Sequence, residues 1–505
     1  MKQFSYPEHT NNANVYDVAI KSKLEHASSL SKRLNNHVYL KREDLQPVFS
    51  FKLRGAYNKI SQLDKSAKAG GIIAASAGNH AQGVALSAKR LGIRAIIVMP
   101  KTTPQIKVKS VKSYDAEVVL HGNAYDEAYE HAMLLASENG MTFIHPYDDP
   151  DVIAGQGTVA KEILEQHPAP IDCIFVPVGG GGLVAGVAAY VKHQHPETKI
   201  IGVEPEDAAC LHDAMKAGER VTLDSVGIFA DGVAVRQIGE TTFPICQKYV
   251  DEVILVSTDE ICAAIKDIFD DTRAIAEPAG ALAIAGLKKY VARNQIADQN
   301  LIAINSGANM NFDRLRHVSE RAELGENRET LLAVTIPETP GSFQQFCHTI
   351  GPRNITEFNY RYSDHSQAHV FAGIQLKPTA TEKDDLINRL KKKNYRVLDL
   401  SENEMAKSHI RYMVGGHTPY TGNELIYRFI FPERPGALLR FLTHMNKHWN
   451  ISMFHYRNHG SAYGRVLIGV QVPIEEKKAF EGFLKNIESP FWDETENRAY
   501  KIFLS

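Results

Sequence analysis

The sequence has 505 residues, 44% apolar and 23% charged, which is an ordinary globular balance. At about 150 residues per domain this predicts about three domains, and one enzyme of roughly 300 residues would leave roughly 200 over. The 57 Lys+Arg and 59 Asp+Glu give a net charge of −2, and with no basic stretch interleaved with aromatics this excludes a nucleic-acid footprint.

In chain order, the opening Met1–Pro7 has no apolar signal core, and no run of about 18 apolar residues follows anywhere, which predicts a cytoplasmic chain with no membrane partner. Short apolar runs then alternate with helical patterns. Strands are expected at Gly71–Ala75, Arg94–Met99 and Glu117–Leu120, and helices at His80–Leu91, Gln105–Ser113 and Tyr125–Ser137. The rhythm resumes with strand Ile171–Val178, a helix to about Lys192 and strand Lys199–Val203, and it closes with strand Leu301–Ser306. Continuous apolar strands between helices imply βαβ units and a parallel sheet covered on both faces. Five scattered cysteines (Cys173, Cys210, Cys246, Cys262, Cys347) without a CxxC pair read as buried thiols in a reducing compartment.

A charged stretch, Arg314–Arg328, reads as a helical connector. Beyond it the chain repeats itself. Pro337-Glu338-Thr339-Pro340-Gly341 returns as Pro432-Glu433-Arg434-Pro435-Gly436, Asn354–Arg361 as Asn450–Arg457, and Gly373-Ile374-Gln375 as Gly469-Val470-Gln471, all at a spacing of about 95. The first copy reads as strand Leu331–Ile336, helix Gly341–Ile350, strand Ile355–Tyr362, strand His369–Leu376, helix Glu382–Lys393 and strand Tyr395–Leu400. That is the ferredoxin-like βαββαβ plan. The expected division is a catalytic region 1–320 of two α/β lobes, a connector 321–329, and two small domains at 330–402 and 424–505.

Four segments carry chemistry. Lys52, in Ser50-Phe51-Lys52-Leu53-Arg54-Gly55-Ala56, has apolar or small neighbours, and a desolvated lysine has the depressed pKa a Schiff-base nucleophile needs. Ser76-Ala77-Gly78-Asn79-His80 lies between a strand and a helix, where it is either a helix cap or an anion seat for a substrate carboxylate. Gly179-Gly180-Gly181-Gly182-Leu183 follows a strand and opens a helix, which leaves amide groups bare for a phosphate. It lacks the Gly-Lys-Ser/Thr of a nucleotide loop and the glycine spacing of a dinucleotide site, so a small phosphorylated cofactor remains. Asn305-Ser306-Gly307-Ala308-Asn309 is a turn closing the last apolar strand.

A lysine able to form an imine plus a phosphate cradle suggests pyridoxal 5′-phosphate. The four segments in this order resemble the fold-type-II pyridoxal-phosphate lyases. With Ala230–Val235, Ala276–Ala281 and two C-terminal ACT-like copies, nearly the whole chain resembles the biosynthetic threonine deaminases. The resemblance implies that Lys52 holds the cofactor and takes the substrate Cα proton. It implies that Phe51 packs beside the ring, Asn79 bonds the 3′-oxygen, and Ser76, Gly78, Asn79 and His80 form the substrate-carboxylate pocket. Gly179, Gly180, Gly181, Gly182 and Leu183 would bind the phosphate, and Ser306 would face the pyridine nitrogen. It further implies deamination of L-threonine, and in part L-serine, to a 2-oxo acid and ammonia. Inhibition by isoleucine opposed by valine, and a homotetramer, belong to the same pattern. Tyr360 and Tyr456, at matched positions of the two copies, are either effector contacts or packed strand aromatics.

Two alternatives stand beside this reading. Serine racemases resemble the chain too, but Ala77 occupies the place of their second, proton-returning serine. Glu204 matches the first acidic ligand of their metal site and Cys210 replaces a later one, so no divalent metal is expected here, while a monovalent cation near Glu204 stays an open alternative. A non-catalytic amino-acid sensor would not need intact Lys52, Asn79, glycine run and Ser306.

Overall fold

The computed structural model describes residues 4–337, 342–351, 353, 355–361, 367–377, 381–412, 423–432, 449–458, 463–487 and 489–504. The chain divides into two units, Met1–Phe312 and Asp313–Ser505.

In the first unit, β-branched runs build two sheets. The larger contains β1 (Leu24–His26), β2 (His37–Arg42), β7 (Cys173–Pro177), β8 (Lys199–Pro205), β9 (Glu252–Val256) and β10 (Asn300–Asn305), in the order β1-β2-β10-β7-β8-β9. All its pairs are parallel except β1 on β2, an antiparallel edge that the sequence reading did not include. The smaller sheet contains β3 (Ile72–Ala75), β4 (Ala95–Met99), β5 (Glu117–Leu120) and β6 (Thr142–Phe143), in the order β5-β4-β3-β6 and wholly parallel. Strands β3, β4 and β7 are buried at every residue, as sheets covered on both faces require. Ile174, Val176 and Ile304 pack with Val184, Val187 and Val191 of the helix Gly182–Gln194, while Ile72, Ala74 and Ile97 pack with Val84, Ala85 and Ala88 of the helix Asn79–Leu91.

This architecture delivers three motifs to the carboxyl ends of parallel strands, where an α/β sheet binds its ligands. Asn79 opens the helix after β3, the glycine run follows β7, and Ser306 follows β10.

The helix Arg314–Gly325, expected as the end of the catalytic region and a connector, belongs to the second unit: its Leu324 joins that unit's core beside Leu331, Phe371 and Phe503. Two four-stranded antiparallel sheets follow. One has the order β12-β13-β11-β14, formed by β11 (Glu329–Pro337), β12 (Ile355–Arg361), β13 (Gln367–Gln375) and β14 (Arg396–Asp399). The other has the order β16-β17-β15-β18, formed by β15 (Glu424–Pro432), β16 (Asn450–Asn458), β17 (Tyr463–Gln471) and β18 (Phe491–Asp493). In the first copy the helices Ser342–Ile350 and Glu382–Lys392 complete the βαββαβ plan, and in the second Lys477–Asn486 is the later helix. The segment expected to carry the second copy's first helix, and part of the Pro-Gly motif of each copy, lie outside the described residues.

The repeat extends to backbone irregularities. The register shifts between Ile355 and Glu357 in one copy and between Ile451 and Met453 in the other. Period-2 alternation divides β11 between two cores: Leu332, Val334 and Ile336 face the helices of their own copy, whereas Leu331 and Ala333 meet Ile426 and Leu467 of the second copy. Glu404, on the short helix Glu404–Ser408 between the copies, accepts hydrogen bonds from Arg321 of the helix Arg314–Gly325 and from Arg465 of β17. These cations hold its carboxyl well below the usual range, against the opposing effect of burial.

Tyr360 pairs with Val370 and Tyr456 with Val466, equivalent places in the two sheets. The side chains of both tyrosines lie outside the described residues. No helix among the described residues is long and apolar enough to cross a membrane. Cys173, Cys210, Cys246 and Cys262 are buried free thiols.

Candidate active site

Lys52 is the first residue of the helix Lys52–Gln62. The strand-like segment before it pairs with the turn after β10: Ser50 bridges Gly307, the Phe51 amide donates to the Ser306 carbonyl at 3.2 Å, and Ala308 donates to the Phe49 carbonyl at 2.9 Å. Lys52 and Ser306, far apart in sequence, are thereby fixed side by side. Beneath Lys52, a Cβ on Gly83 would come within 3.0 Å of its carbonyl carbon, so Gly83 lets the helix Asn79–Leu91 approach this closely.

The Lys52 ammonium donates to the Pro146 carbonyl at 3.0 Å and lies 5.3 Å from the centre of the Phe51 ring. Burial pushes its pKa down to about 8, with the Glu277 carboxylate pulling the other way. An appreciable fraction of Lys52 is therefore a neutral amine near physiological pH, the state a carbonyl-capturing lysine needs.

The Asn79 side chain is held at both ends. Its Nδ2 donates to Glu277 Oε1 at 2.6 Å, and its Oδ1 accepts from Asn309 Nδ2 at 2.7 Å. Ser76 Oγ accepts from the Gly78 amide at 3.2 Å, which leaves its own hydroxyl proton for another acceptor. A Cβ on Gly78 would meet nothing within 4 Å, so open space lies beside this turn. The His80 ring is committed elsewhere. Its Nε2 faces the Ile144 carbonyl at 2.9 Å, and burial together with Lys52 pushes its pKa down to about 3. A carbonyl only accepts, so Nε2 carries the proton and the neutral Nδ1 is an acceptor, which cannot receive a carboxylate. What His80 offers an anion is its backbone N–H in the first turn, not its imidazole.

The glycine run packs so tightly that larger residues are excluded. A Cβ on Gly179 would lie 3.0 Å from Val233, and one on Gly180 2.3 Å from the Tyr147 ring. Gly181 has φ +92 and opens the helix Gly182–Gln194, which begins with amides that have no intrahelical acceptor. Ser306, buried, donates weakly to the Ala279 carbonyl at 3.4 Å. Leu183 belongs to the core beneath the run.

Two features escaped the sequence reading. The segment His145–Asp149 wraps the site: Pro146 accepts from Lys52, Tyr147 covers the glycine run, and Asp148 accepts from the amides of Glu240, Thr241 and Thr242. Its only sequence signal was the Asp-Asp-Pro helix start that follows. The second is Glu277, 4% exposed, at the N-cap of the helix Pro278–Asn294. It stood in a recognised stretch without a role. Behind the site, Lys41, Glu43, Arg54 and Glu162 form a fully buried ion network.

Glu204 ends near the glycine run. Its carboxylate accepts from the Leu211 and His212 amides at 2.8 Å each and faces the Cys210 thiol at 3.6 Å. Among the described residues no group of three or more His, Cys, Asp and Glu side chains is arranged to hold a metal.

The convergence of a desolvated lysine, a glycine cradle and a serine at the sheet edge defines a class, and comparison with known proteins gives the same one. The model of pyridoxal-phosphate dependent enzymes matches residues 16–307, and that of the C-terminal regulatory domain of threonine dehydratase matches 320–410 and 415–504. The chain is 55% identical to the biosynthetic L-threonine dehydratase of Burkholderia multivorans over 98% of both chains. Among solved structures, processed threonine deaminase isoform 2 of Solanum lycopersicum matches with a TM-score of 0.63 at 52% identity, covering 64% of this chain and 88% of that one. Maize serine racemase matches with a TM-score of 0.59 at 31% identity, covering 63% and 97% respectively. The chain belongs to the biosynthetic threonine dehydratase family.

Proposed function

We propose that the protein is a pyridoxal-phosphate-dependent threonine ammonia-lyase that converts L-threonine to 2-oxobutanoate and ammonia at the head of isoleucine synthesis, under control of its C-terminal repeat. The observation that carries the reading is Lys52, held at about 8 and set beside Ser306, Asn79 and the glycine run.

The residues fit the cofactor. In the protein alone the buried Ser50 hydroxyl and both polar atoms of the Asn305 amide have no hydrogen-bond partner, as expected beside a site that takes a polar ligand. Gly179–Leu183 would hold the phosphate, Asn79 the 3′-oxygen, Phe51 one face and Ser306 the ring nitrogen. Bound there, pyridoxal phosphate supplies a carbonyl for the amine and an electron sink for Cα–H cleavage. Lys52 would be both its attachment point and, once displaced by substrate, the base at Cα. The Ser76 hydroxyl and the amides of Asn79 and His80 would bind the substrate carboxylate at a helix N-terminus, with Gly78 leaving the space beside them open. Ser306, neutral, imposes no charge on the ring nitrogen, and this suits β-elimination. Ala77 has no proton to return to Cα from the opposite face, which supports elimination over racemisation.

We assign control to the two copies at 330–402 and 424–505, with isoleucine as inhibitor, valine opposing it, and Tyr360 and Tyr456 in or near the effector pockets. A homotetramer in the cytoplasm completes the reading, and buried free thiols support that compartment. Steady-state formation of 2-oxobutanoate, with and without isoleucine, tests it. Turnover of threonine above serine, suppressed by isoleucine, is expected. Absent turnover, or turnover indifferent to isoleucine, would overturn the catalytic or the regulatory half respectively.

A further inference from the structure

The clamp on Asn79 has only one consistent orientation. Asn79 Nδ2 faces a carboxylate at 2.6 Å, and Asn79 Oδ1 faces the Asn309 amide, which also donates to the Val48 carbonyl at 2.7 Å. Turning the Asn79 amide over would set two acceptors together at one end and two donors at the other. One Nδ2 hydrogen is thus left to face the site. The carboxylate is equally constrained. Glu277 occupies the N-cap position of the helix Pro278–Asn294, whose N-terminus favours negative charge, and its backbone amide donates to the Gly307 carbonyl at 3.1 Å. A Cβ on Gly307 would lie 2.5 Å from Glu277 Oε1, so the turn after β10 closes directly over this carboxylate. The ionisable groups that bear on Lys52 are Glu277, His80 and His145, and both histidines are held neutral by burial. Among the described residues, Glu277 is the one that supplies a negative charge there.

We propose that Glu277 is a positioning residue with two tasks, orienting the amide of Asn79 and providing the counter-charge of the Lys52 ammonium, and that Asn309 is the second jaw of the clamp. The proposal rests on the reading of Lys52 as the cofactor-capturing amine.

The test uses full-length protein freed of cofactor. Pyridoxal phosphate is added and its capture followed by absorbance across pH. In this step neutral Lys52 Nζ adds to the aldehyde and one water leaves. Glu277→Gln keeps an acceptor for Asn79 and removes the charge, so the midpoint of the rate profile should move to lower pH by about one unit while equilibrium affinity is held. Asn309→Ala loosens the amide and leaves the charge, so affinity should weaken about tenfold with the midpoint unmoved. Glu277→Asp should return the midpoint toward that of the unaltered protein. A midpoint that stays or rises in Glu277→Gln, or unweakened affinity in Asn309→Ala, overturns the proposal. If even the unaltered protein forms no imine at Lys52, the underlying reading of the site fails instead.

Discussion

Gly180 offers a sharp test of the glycine run as a phosphate cradle. In Gly180→Ala the added Cβ would lie 2.3 Å from two atoms of the Tyr147 ring, and ordinary contact begins near 3.4 Å, so ring and loop must part by about 1.1 Å. Neither side yields freely. The Gly180 carbonyl accepts from Thr242 Oγ1 at 2.8 Å and from the Gly239 amide at 3.2 Å, while Asp148, next to Tyr147, accepts from the Glu240, Thr241 and Thr242 amides at the start of the helix Thr242–Tyr249. A displacement of this size removes one amide bond to a charged phosphate, worth about 1.5–3 kcal/mol. Cofactor affinity should fall about 10- to 150-fold, read by titrating cofactor-free protein with pyridoxal phosphate. Because the cause is a clash with one ring, Gly180→Ala should cost little in a Tyr147→Ala background, which gives a large coupling in a double-mutant cycle. Unchanged affinity in the single variant, or equal losses in both backgrounds, would refute the reasoning.

Other outcomes follow from the same geometry. Gly78→Ala places a methyl in open space, so the unfolding temperature should hold while KM for L-threonine rises about tenfold through intrusion on the carboxylate seat. Glu162→Gln strips a buried carboxylate from Lys41 and Arg54, and the stranded cationic charge should cost about 3–5 kcal/mol in urea unfolding. His80 titrates near 6.5 when unfolded and near 3 when folded, so between these values the unfolded chain binds the extra proton and stability falls as pH drops. His80→Gln should flatten that fall by about 1.4 kcal/mol per pH unit, measured as unfolding free energy against pH.

What the sequence revealed was whatever depended on local pattern. Glycine spacing, apolar runs and an offset near 95 disclosed the sheet, the glycine-rich turn before a helix and the repeated small domain, because each is written in consecutive residues. The edge strand Leu24–His26 was invisible because three residues with mixed burial carry no periodic signal. Pro146 was missed because it acts through its carbonyl, which every residue possesses. Lys41, Glu43, Arg54 and Glu162 carry no shared signal in the sequence and are fully buried in space, since only the fold brings these four charges into mutual compensation. The motif marks His80 as a candidate residue, and only the fold shows that its ring faces the Ile144 carbonyl and that its backbone amide is what it offers a ligand. The helix Arg314–Gly325 looks like a polar linker in sequence, and only the fold shows its Leu324 in the core of the second unit.

The central claim is that Lys52 is the amine that captures the cofactor. Full-length protein incubated with pyridoxal phosphate, reduced with borohydride and digested will show by mass spectrometry which residue carries the pyridoxyl group. The account predicts a single adduct on Lys52, absent from Lys52→Ala together with 2-oxobutanoate formation. An adduct on another lysine, or threonine turnover that survives in Lys52→Ala, would contradict it.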